Sequence, residues 1–110
     1  MARFNFIELP ASDVGVTKSF YSSVFAWELT DFGPSYSCTM TGDVDLGLQG
    51  DAAEATRAPL AVIAVDDLEQ ALAAVEQSGG TITKSIFAFP EAGFHFRDPS
   101  GNELAALKAD

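Results

Sequence analysis

Three ionisable side chains on the predicted strands of this 110-residue chain could transfer a proton or hold a charged ligand. Glu8 and Glu103 are carboxylates, and His95 is the only imidazole in the sequence. Such groups act as general acids or bases when burial tunes their pKa toward the working pH. In the run Phe-His-Phe-Arg around His95, strand alternation places His95 and Arg97 on one face and the two phenylalanines on the other.

Several roles stay open for these groups at the level of sequence. His95 could be a surface or helix-facing histidine satisfied by a neighbour, a ligand contact, or a metal ligand. Glu8 lies among apolar residues, where a carboxylate has to be solvated or paired. It therefore either lines an accessible cavity or forms an ion pair with Arg3 or Arg97.

The first predicted element is an alternating strand over residues 3–9, and a helix that Ser12 or Asp13 can cap follows it. Apolar residues recur at a spacing of four along this helix and predict its buried stripe: Val16, Phe20 and Val24. The aromatic residues at the end of the helix, Phe20, Phe25 and Trp27, are expected to close a core. Extended segments bounded by turn residues then follow at 27–32, 35–40 and 44–49.

The second half of the chain repeats this order after a linker of small and charged residues at 51–58. An apolar strand at 60–65 precedes a helix whose cap, Asp66, is answered by Glu69 as in a capping box. The helix buries Leu68, Ala71, Leu72 and Val75, and it ends at a glycine pair suited to a left-handed C-terminus. Three further strands are predicted at 81–89, 93–97 and 103–107. The chain is thus a two-fold β-α-β-β-β repeat.

Composition excludes several classes of partner. Sixteen acidic residues against six basic ones give a formal charge of −10, which repels nucleic acid phosphates and anionic membrane surfaces. No apolar run reaches the length of a membrane span, and no secretory signal is visible, so a soluble cytoplasmic protein is expected. A single cysteine, Cys38, is expected to be a small buried apolar residue.

Three motifs resemble the glyoxalase/bleomycin resistance/dioxygenase family of the vicinal oxygen chelate superfamily. They are Leu-Pro-x-x-Asp at 9–13, Phe-Tyr-x-x-x-Phe-x-Trp at 20–27 and Phe-x-Asp-Pro-x-Gly-Asn at 96–102. The resemblance extends from residue 6 to 107. It implies an α+β fold in which two paired β-α-β-β-β modules form a curved mixed sheet around a cleft, often in a homodimer. We expect one domain over 1–110, with modules at about 1–50 and 59–110.

The resemblance also locates the positions where enzymes of this family hold a divalent metal with four side chains, usually His and Glu. Those positions fall on Phe6, Leu60, Ala105 and either Leu46 or Gly47. None of these side chains can coordinate a metal, so neither a metal nor another cofactor is expected. A displaced site built from Glu8, His95 and Glu103 stays open as an alternative.

The sequence therefore predicts a metal-free protein that binds a small, partly apolar molecule, which could be cationic, in the sheet cleft. Aromatic residues could wall this cleft, Phe94 among them. The predicted ligand-binding residues are Phe6, Glu8, Tyr36, Leu60, Phe87, Phe89, His95, Glu103 and Ala105, and no catalytic residue is assigned. One alternative is a lyase, isomerase or dioxygenase with a noncanonical or absent metal site. Another is a structural or regulatory module whose cleft its own phenylalanines fill.

Overall fold

The computed structural model describes residues 2–88 and 91–109, and within them the chain forms eight strands and two helices in the predicted α+β arrangement. Phe89, which was predicted to lie in the sixth strand and in the site, falls outside the described residues. The described part of the chain contains no helix long and apolar enough to cross a membrane. The elements are β1 (Arg3–Pro10), α1 (Val14–Phe25), β2 (Thr30–Asp31), β3 (Tyr36–Cys38), β4 (Asp45–Gln49), β5 (Leu60–Val65), α2 (Leu68–Gln77), β6 (Thr81–Phe87), β7 (Gly93–Arg97) and β8 (Glu103–Lys108).

The chain divides into two compact units, residues 6–60 (the first unit) and residues 61–109 with 2–5 (the second unit). In the first unit the strands are ordered β1-β4-β3-β2, and in the second β5-β8-β7-β6. The first pair in each order is parallel and the other pairs are antiparallel. The same strand order in both units confirms the predicted repeat.

The core of the first unit lies between its sheet and α1. Leu48 is fully buried there, and Val14 and Tyr21 of α1 pack with Leu9 and Leu46 around it. Asp13 caps the helix, as predicted, because its side chain accepts a hydrogen bond from the backbone N–H of Val16 at 3.1 Å. Val14 and Tyr21 are seven residues apart, so they lie on one side of the helix and fix the side that faces the sheet.

The predicted buried stripe of α1 is wrong. Val16 is 67% exposed, Phe20 55% and Val24 53%, and no residue of α1 is fully buried. Phe25, the last residue of α1, and Trp27 are also about half exposed rather than in a core. Apolar residues occur on both sides of this helix. The spacing of apolar residues in the sequence therefore could not determine which side packs against the sheet.

The segment predicted as a strand from residue 27 is extended only over Thr30–Asp31. Trp27 instead stacks on Tyr21 and Phe25, with ring centroids 5.6 and 5.0 Å apart. Ala26 allows this reversal because it adopts a left-handed conformation, with φ of 60°, at the end of α1. The helix end and the aromatic stack therefore take up residues that the apolar pattern assigned to a strand.

The core of the second unit confirms the predicted face of α2. Leu68, Phe94 and Ala106 are buried together, and Ala71, Leu72 and Val75 pack against them. The cap is Asp67 rather than Asp66, since Asp67 accepts a hydrogen bond from the Gln70 N–H at 3.0 Å. Gly79 takes the predicted left-handed conformation with φ of 95°. Of two adjacent aspartates, the one nearer the first helical turn reaches its amides.

One aspartate organises the turn before the last strand of each unit. Asp45 accepts hydrogen bonds from the hydroxyls of Thr39 and Thr41 and from the N–H groups of Thr41 and Gly42, at 2.7 to 3.0 Å. Burial alone would raise the pKa of Asp45, but these bonds outweigh it and hold the pKa below its ordinary value. Asp98 is likewise bonded by the side chain and backbone of Asn102, which lower its pKa.

A pH titration of stability tests the role of Asp45. Because its pKa is lower in the folded chain, its bonds contribute fully above about pH 4 and are lost as the pH falls through the folded value. Asp45→Asn should lower the free energy of unfolding by about 1 kcal/mol near neutral pH, measured by urea denaturation. The difference from the wild type should shrink below about pH 4. Asp43→Asn in the same turn is the control, and an equal loss there would contradict this role.

Candidate functional site

In each unit, one face of the strands packs against the helix of that unit. We call the opposite face of the strands the far face. In the first unit the far face carries Phe6 and Glu8 of β1, because Ile7 and Leu9 alternate to the other side. The Tyr36 hydroxyl on β3 donates a hydrogen bond to Glu8 Oε2 at 3.1 Å. Three predicted site residues thus lie together on the far face of the first unit: Phe6, Glu8 and Tyr36.

Gly47 creates the space in which these side chains meet. It is paired with Glu8 across β1 and β4 and with Cys38 across β3 and β4. A Cβ atom at Gly47 would collide with the Tyr36 hydroxyl and with the Phe6 ring. Of the two family positions left open by the sequence, Gly47 therefore lies on the far face, while Leu46 packs in the core beside α1.

In the second unit the register resolves the orientation of His95. Phe94 is fully buried on the helix side, so the prediction that it walls the site is wrong. His95 is paired with Ala105, and Arg97 with Glu103, on the far face. The predicted alternation of this strand is confirmed, and His95, Glu103 and Ala105 share one face.

His95 and Glu103 form a polar cluster on this face. His95 Nδ1 lies 3.9 Å from Glu103 Oε2, and the Thr83 hydroxyl donates to the same oxygen at 2.8 Å. The Phe87 ring stands edge-on to the imidazole with centroids 5.8 Å apart, and the Lys84 ammonium lies 4.9 Å from the centre of the Phe87 ring. The side chain of His95 is 15% exposed and that of Glu103 26%, so both are largely withdrawn from water.

Two members of this cluster, Thr83 and Lys84, were missed at the level of sequence. Simple alternation would send these consecutive residues to opposite faces. The pairing of β6 with β7 is irregular between Ile82 and Lys84, and this irregularity lets both take part in contacts around Phe87 and Glu103. No turn or glycine signal marks the irregularity in the sequence.

The remaining predicted site residues are apolar and buried. Ala105 is 2% exposed, and it is paired with Val62, which is 3% exposed. Leu60 is also 3% exposed and lies two residues before Val62 on β5, hence on the same strand face. These positions supply apolar surface and no polar group.

The residues at the family's metal positions do not fit a metal ion. Phe6, Leu60 and Ala105 lack donor atoms, and the volume that a longer side chain at Gly47 would need is filled by Tyr36 and Phe6. Among the described residues, no three His, Cys, Asp or Glu side chains converge closely enough to hold a metal. We therefore derive no chemical step through a metal at these positions.

The model of the Glyoxalase/Bleomycin resistance protein/Dioxygenase superfamily matches residues 3–106. The chain belongs to this superfamily. None of the curated proteins resembles the chain closely enough in sequence to count as a match.

Several solved structures share the fold of this chain. A hypothetical protein from Bacillus halodurans has a TM-score of 0.79 at 12% identity, over 99% of this chain and 95% of that one. A superfamily member from Vibrio splendidus has a TM-score of 0.70 at 19% identity, over 99% and 100%. Methylmalonyl-CoA epimerase from Streptomyces coelicolor, in complex with 2-nitronate-propionyl-CoA, has 0.71 at 12%, over 97% and 96%. At these identities the likeness shows the fold alone.

Replacement of Gly47 tests the packing of the first far face. Gly47→Ala should lower the free energy of unfolding by about 1–3 kcal/mol, because the added methyl group has to displace Tyr36 and Phe6. In a Tyr36→Phe background the loss should be smaller, since the colliding hydroxyl is gone. A double-mutant cycle by urea denaturation measures this coupling. Additive losses would contradict the packing described.

Proposed function

We propose that this chain binds a small, partly apolar cation on the far face of the first unit, with Glu8 as its counter-charge. The observation that carries the proposal is the hydrogen bond from Tyr36 to Glu8 beside the Phe6 ring. The bond from the Tyr36 hydroxyl holds the Glu8 carboxylate in a defined orientation. The arrangement is a fixed negative charge beside aromatic surface.

This combination favours a cation over other ligands. A half-buried carboxylate attracts positive charge more strongly than an exposed one, because less water screens it. Aromatic rings add attraction for a cation within about 6 Å of their centres. Phe6 and Tyr36 supply such rings, and the formal charge of −10 raises the local concentration of cations around the whole chain.

Binding of this kind needs no metal. The Glu8 carboxylate supplies the charge, and the rings supply the apolar contact. We therefore expect a chelator to leave the affinity unchanged.

Isothermal titration with three benzyl compounds tests the proposal. Benzylammonium should bind, whereas the neutral benzyl alcohol and the anionic benzoate should bind at least about tenfold more weakly, because Glu8 discriminates by charge. Glu8→Gln should remove this preference and weaken benzylammonium about tenfold. Glu28→Gln, which changes an exposed carboxylate of the same unit, should leave it intact.

Two results would contradict the proposal. One is equal binding of the three compounds to the wild type. The other is an equal loss of benzylammonium affinity in Glu8→Gln and Glu28→Gln.

A second candidate function is proton transfer by His95 on the far face of the second unit. The specific observation is the carboxylate of Glu103, which is fixed by Thr83 and lies 3.9 Å from His95 Nδ1. A carboxylate in this position can orient an imidazole and stabilise its protonated form, as general base catalysis requires.

Exchange of deuterium from solvent into hydroxyacetone, followed by proton NMR, tests this second candidate. We use a neutral carbon acid because the acidic chain repels anions. If His95 is the base, the wild type should exchange the protons next to the carbonyl, and His95→Gln should slow exchange about 10²–10⁴-fold. Glu76→Gln, which changes an exposed carboxylate on α2, serves as the control. Exchange that persists in His95→Gln would exclude this role.

A further inference from the structure

Lys84 lies on β6 between two irregularities in the pairing of that strand with β7. The register shifts once between Ile82 and Lys84 and again between Lys84 and Phe87. Irregularities of this kind turn side chains out of simple alternation, and they occur often beside active sites. Here they bring Lys84 to the far face of the second unit, where it is paired with His95.

The ammonium group of Lys84 is held on the part of this face that carries the imidazole. Paired residues of antiparallel strands have Cβ atoms about 4.5–5.5 Å apart, so the side chains of Lys84 and His95 start as neighbours. The ammonium lies 4.9 Å from the centre of the Phe87 ring, and the same ring stands edge-on to the imidazole, with centroids 5.8 Å apart. Attraction between an ammonium and an aromatic ring therefore keeps the charge of Lys84 beside a side chain that contacts His95.

The charge of this face is opposite in sign to that of the whole chain. The chain has 16 acidic and 6 basic residues. At the far-face positions of β6, β7 and β8, apart from His95, the charged side chains are Lys84, Arg97 and Glu103, which gives two positive charges against one negative charge. Such a local excess of positive charge favours negative charge that develops on a bound molecule.

Arg97 is the second cation of this face, but its contacts draw it toward a turn. It is paired with Glu103, and its Nη1 donates a hydrogen bond to the carbonyl oxygen of Gly101 at 3.2 Å, between β7 and β8. Lys84 is instead paired with the imidazole itself. Lys84 is therefore the cation whose position suits the chemistry of His95.

Proton abstraction next to a carbonyl group creates negative charge that needs such a cation. The proton moves from carbon to the imidazole, the C–H electron pair becomes a carbon–carbon double bond, and a carbonyl electron pair moves onto the oxygen. The product is an enolate whose oxygen is negative, and return of a deuteron from the imidazole to the carbon completes the exchange. Removal of one group that stabilises an oxygen of this kind slows reactions about 10²–10³-fold.

We propose that Lys84 stabilises the enolate oxygen, so that the second far face binds small neutral carbonyl compounds with the oxygen toward Lys84 and the acidic carbon toward His95. This inference rests on the second candidate function, proton transfer by His95, and adds the group that receives the negative charge. A neutral compound is not repelled by the acidic chain, and its charge develops only beside Lys84.

Deuterium exchange into hydroxyacetone tests the catalytic role of Lys84. Lys84→Met keeps an apolar side chain but removes the charge, and it should slow exchange about 10²-fold. Lys84→Arg keeps a cation that can contact the Phe87 ring, and it should retain most of the rate. The matched control is Lys108→Met, which removes an exposed ammonium bonded to the backbone of Asp66 and should leave the rate unchanged. Equal rates in the wild type and Lys84→Met would overturn the proposal.

Binding of an enolate analogue tests Lys84 without any proton transfer. The anion of acetohydroxamic acid has the shape and charge of the hydroxyacetone enolate, with nitrogen in place of one carbon. It forms in solution near pH 9, where lysine side chains still carry their charge. In isothermal titration with a chelator present, the wild type should bind it at least about tenfold more tightly than neutral acetamide. Lys84→Met should lose this preference, and Lys84→Arg should keep it.

The two measurements together separate a failure of Lys84 from a failure of His95. Acetohydroxamate binding that depends on Lys84, in a wild type that exchanges no deuterium, would contradict proton transfer by His95 and support Lys84 as the contact for negative charge. Exchange in the wild type with the same acetohydroxamate affinity in Lys84→Met would overturn the role of Lys84 alone. Loss of that affinity in Arg97→Met in place of Lys84→Met would also overturn it.

Discussion

The packing of Tyr36 and Phe6 over Gly47 is the constraint on which the first far face depends. Only a residue without a side chain leaves space for both rings, and that space lets the Tyr36 hydroxyl reach Glu8. The same packing fills the space that a longer side chain at Gly47 would need.

The two units use the same strand order for different chemistry. The first unit presents a carboxylate held by a phenol, and the second presents an imidazole beside a carboxylate held by a threonine. In both, the polar group lies on the face away from the helix, with aromatic or small apolar residues around it. The chain belongs to a superfamily with a shared fold, and these side chains, rather than the fold, determine what each face can bind.

Much of the fold could be predicted from the sequence, because strong local signals agreed with one another. The bounds of β5 and β7 and the buried face of α2 follow from alternation and period, and Gly79 has the left-handed conformation expected at a helix end. The cap of α2 was placed one residue early, at Asp66 instead of Asp67. The buried face of α1 could not be predicted, since apolar residues lie on two sides of that helix. The helical period identifies rows of apolar side chains on α1, but the packing of the helix on the strands of its unit decides which row is buried.

The candidate site was predicted in part for a similar reason. The shared faces of Phe6 with Glu8 and of His95 with Arg97 follow from a strict period of two. The register of β7 against β8 was needed to place His95 on the face that carries Glu103 and Ala105. The bond from Tyr36 to Glu8 joins residues 28 positions apart, and the Thr83 contact depends on an irregular strand pairing, so neither has a local signal.

A crystal structure of the complex with benzylammonium would decide whether Glu8 is the counter-charge for a bound cation. We expect the ammonium group beside the Glu8 carboxylate, with the ring against Phe6 and Tyr36. An ammonium group bound away from Glu8 would contradict this role.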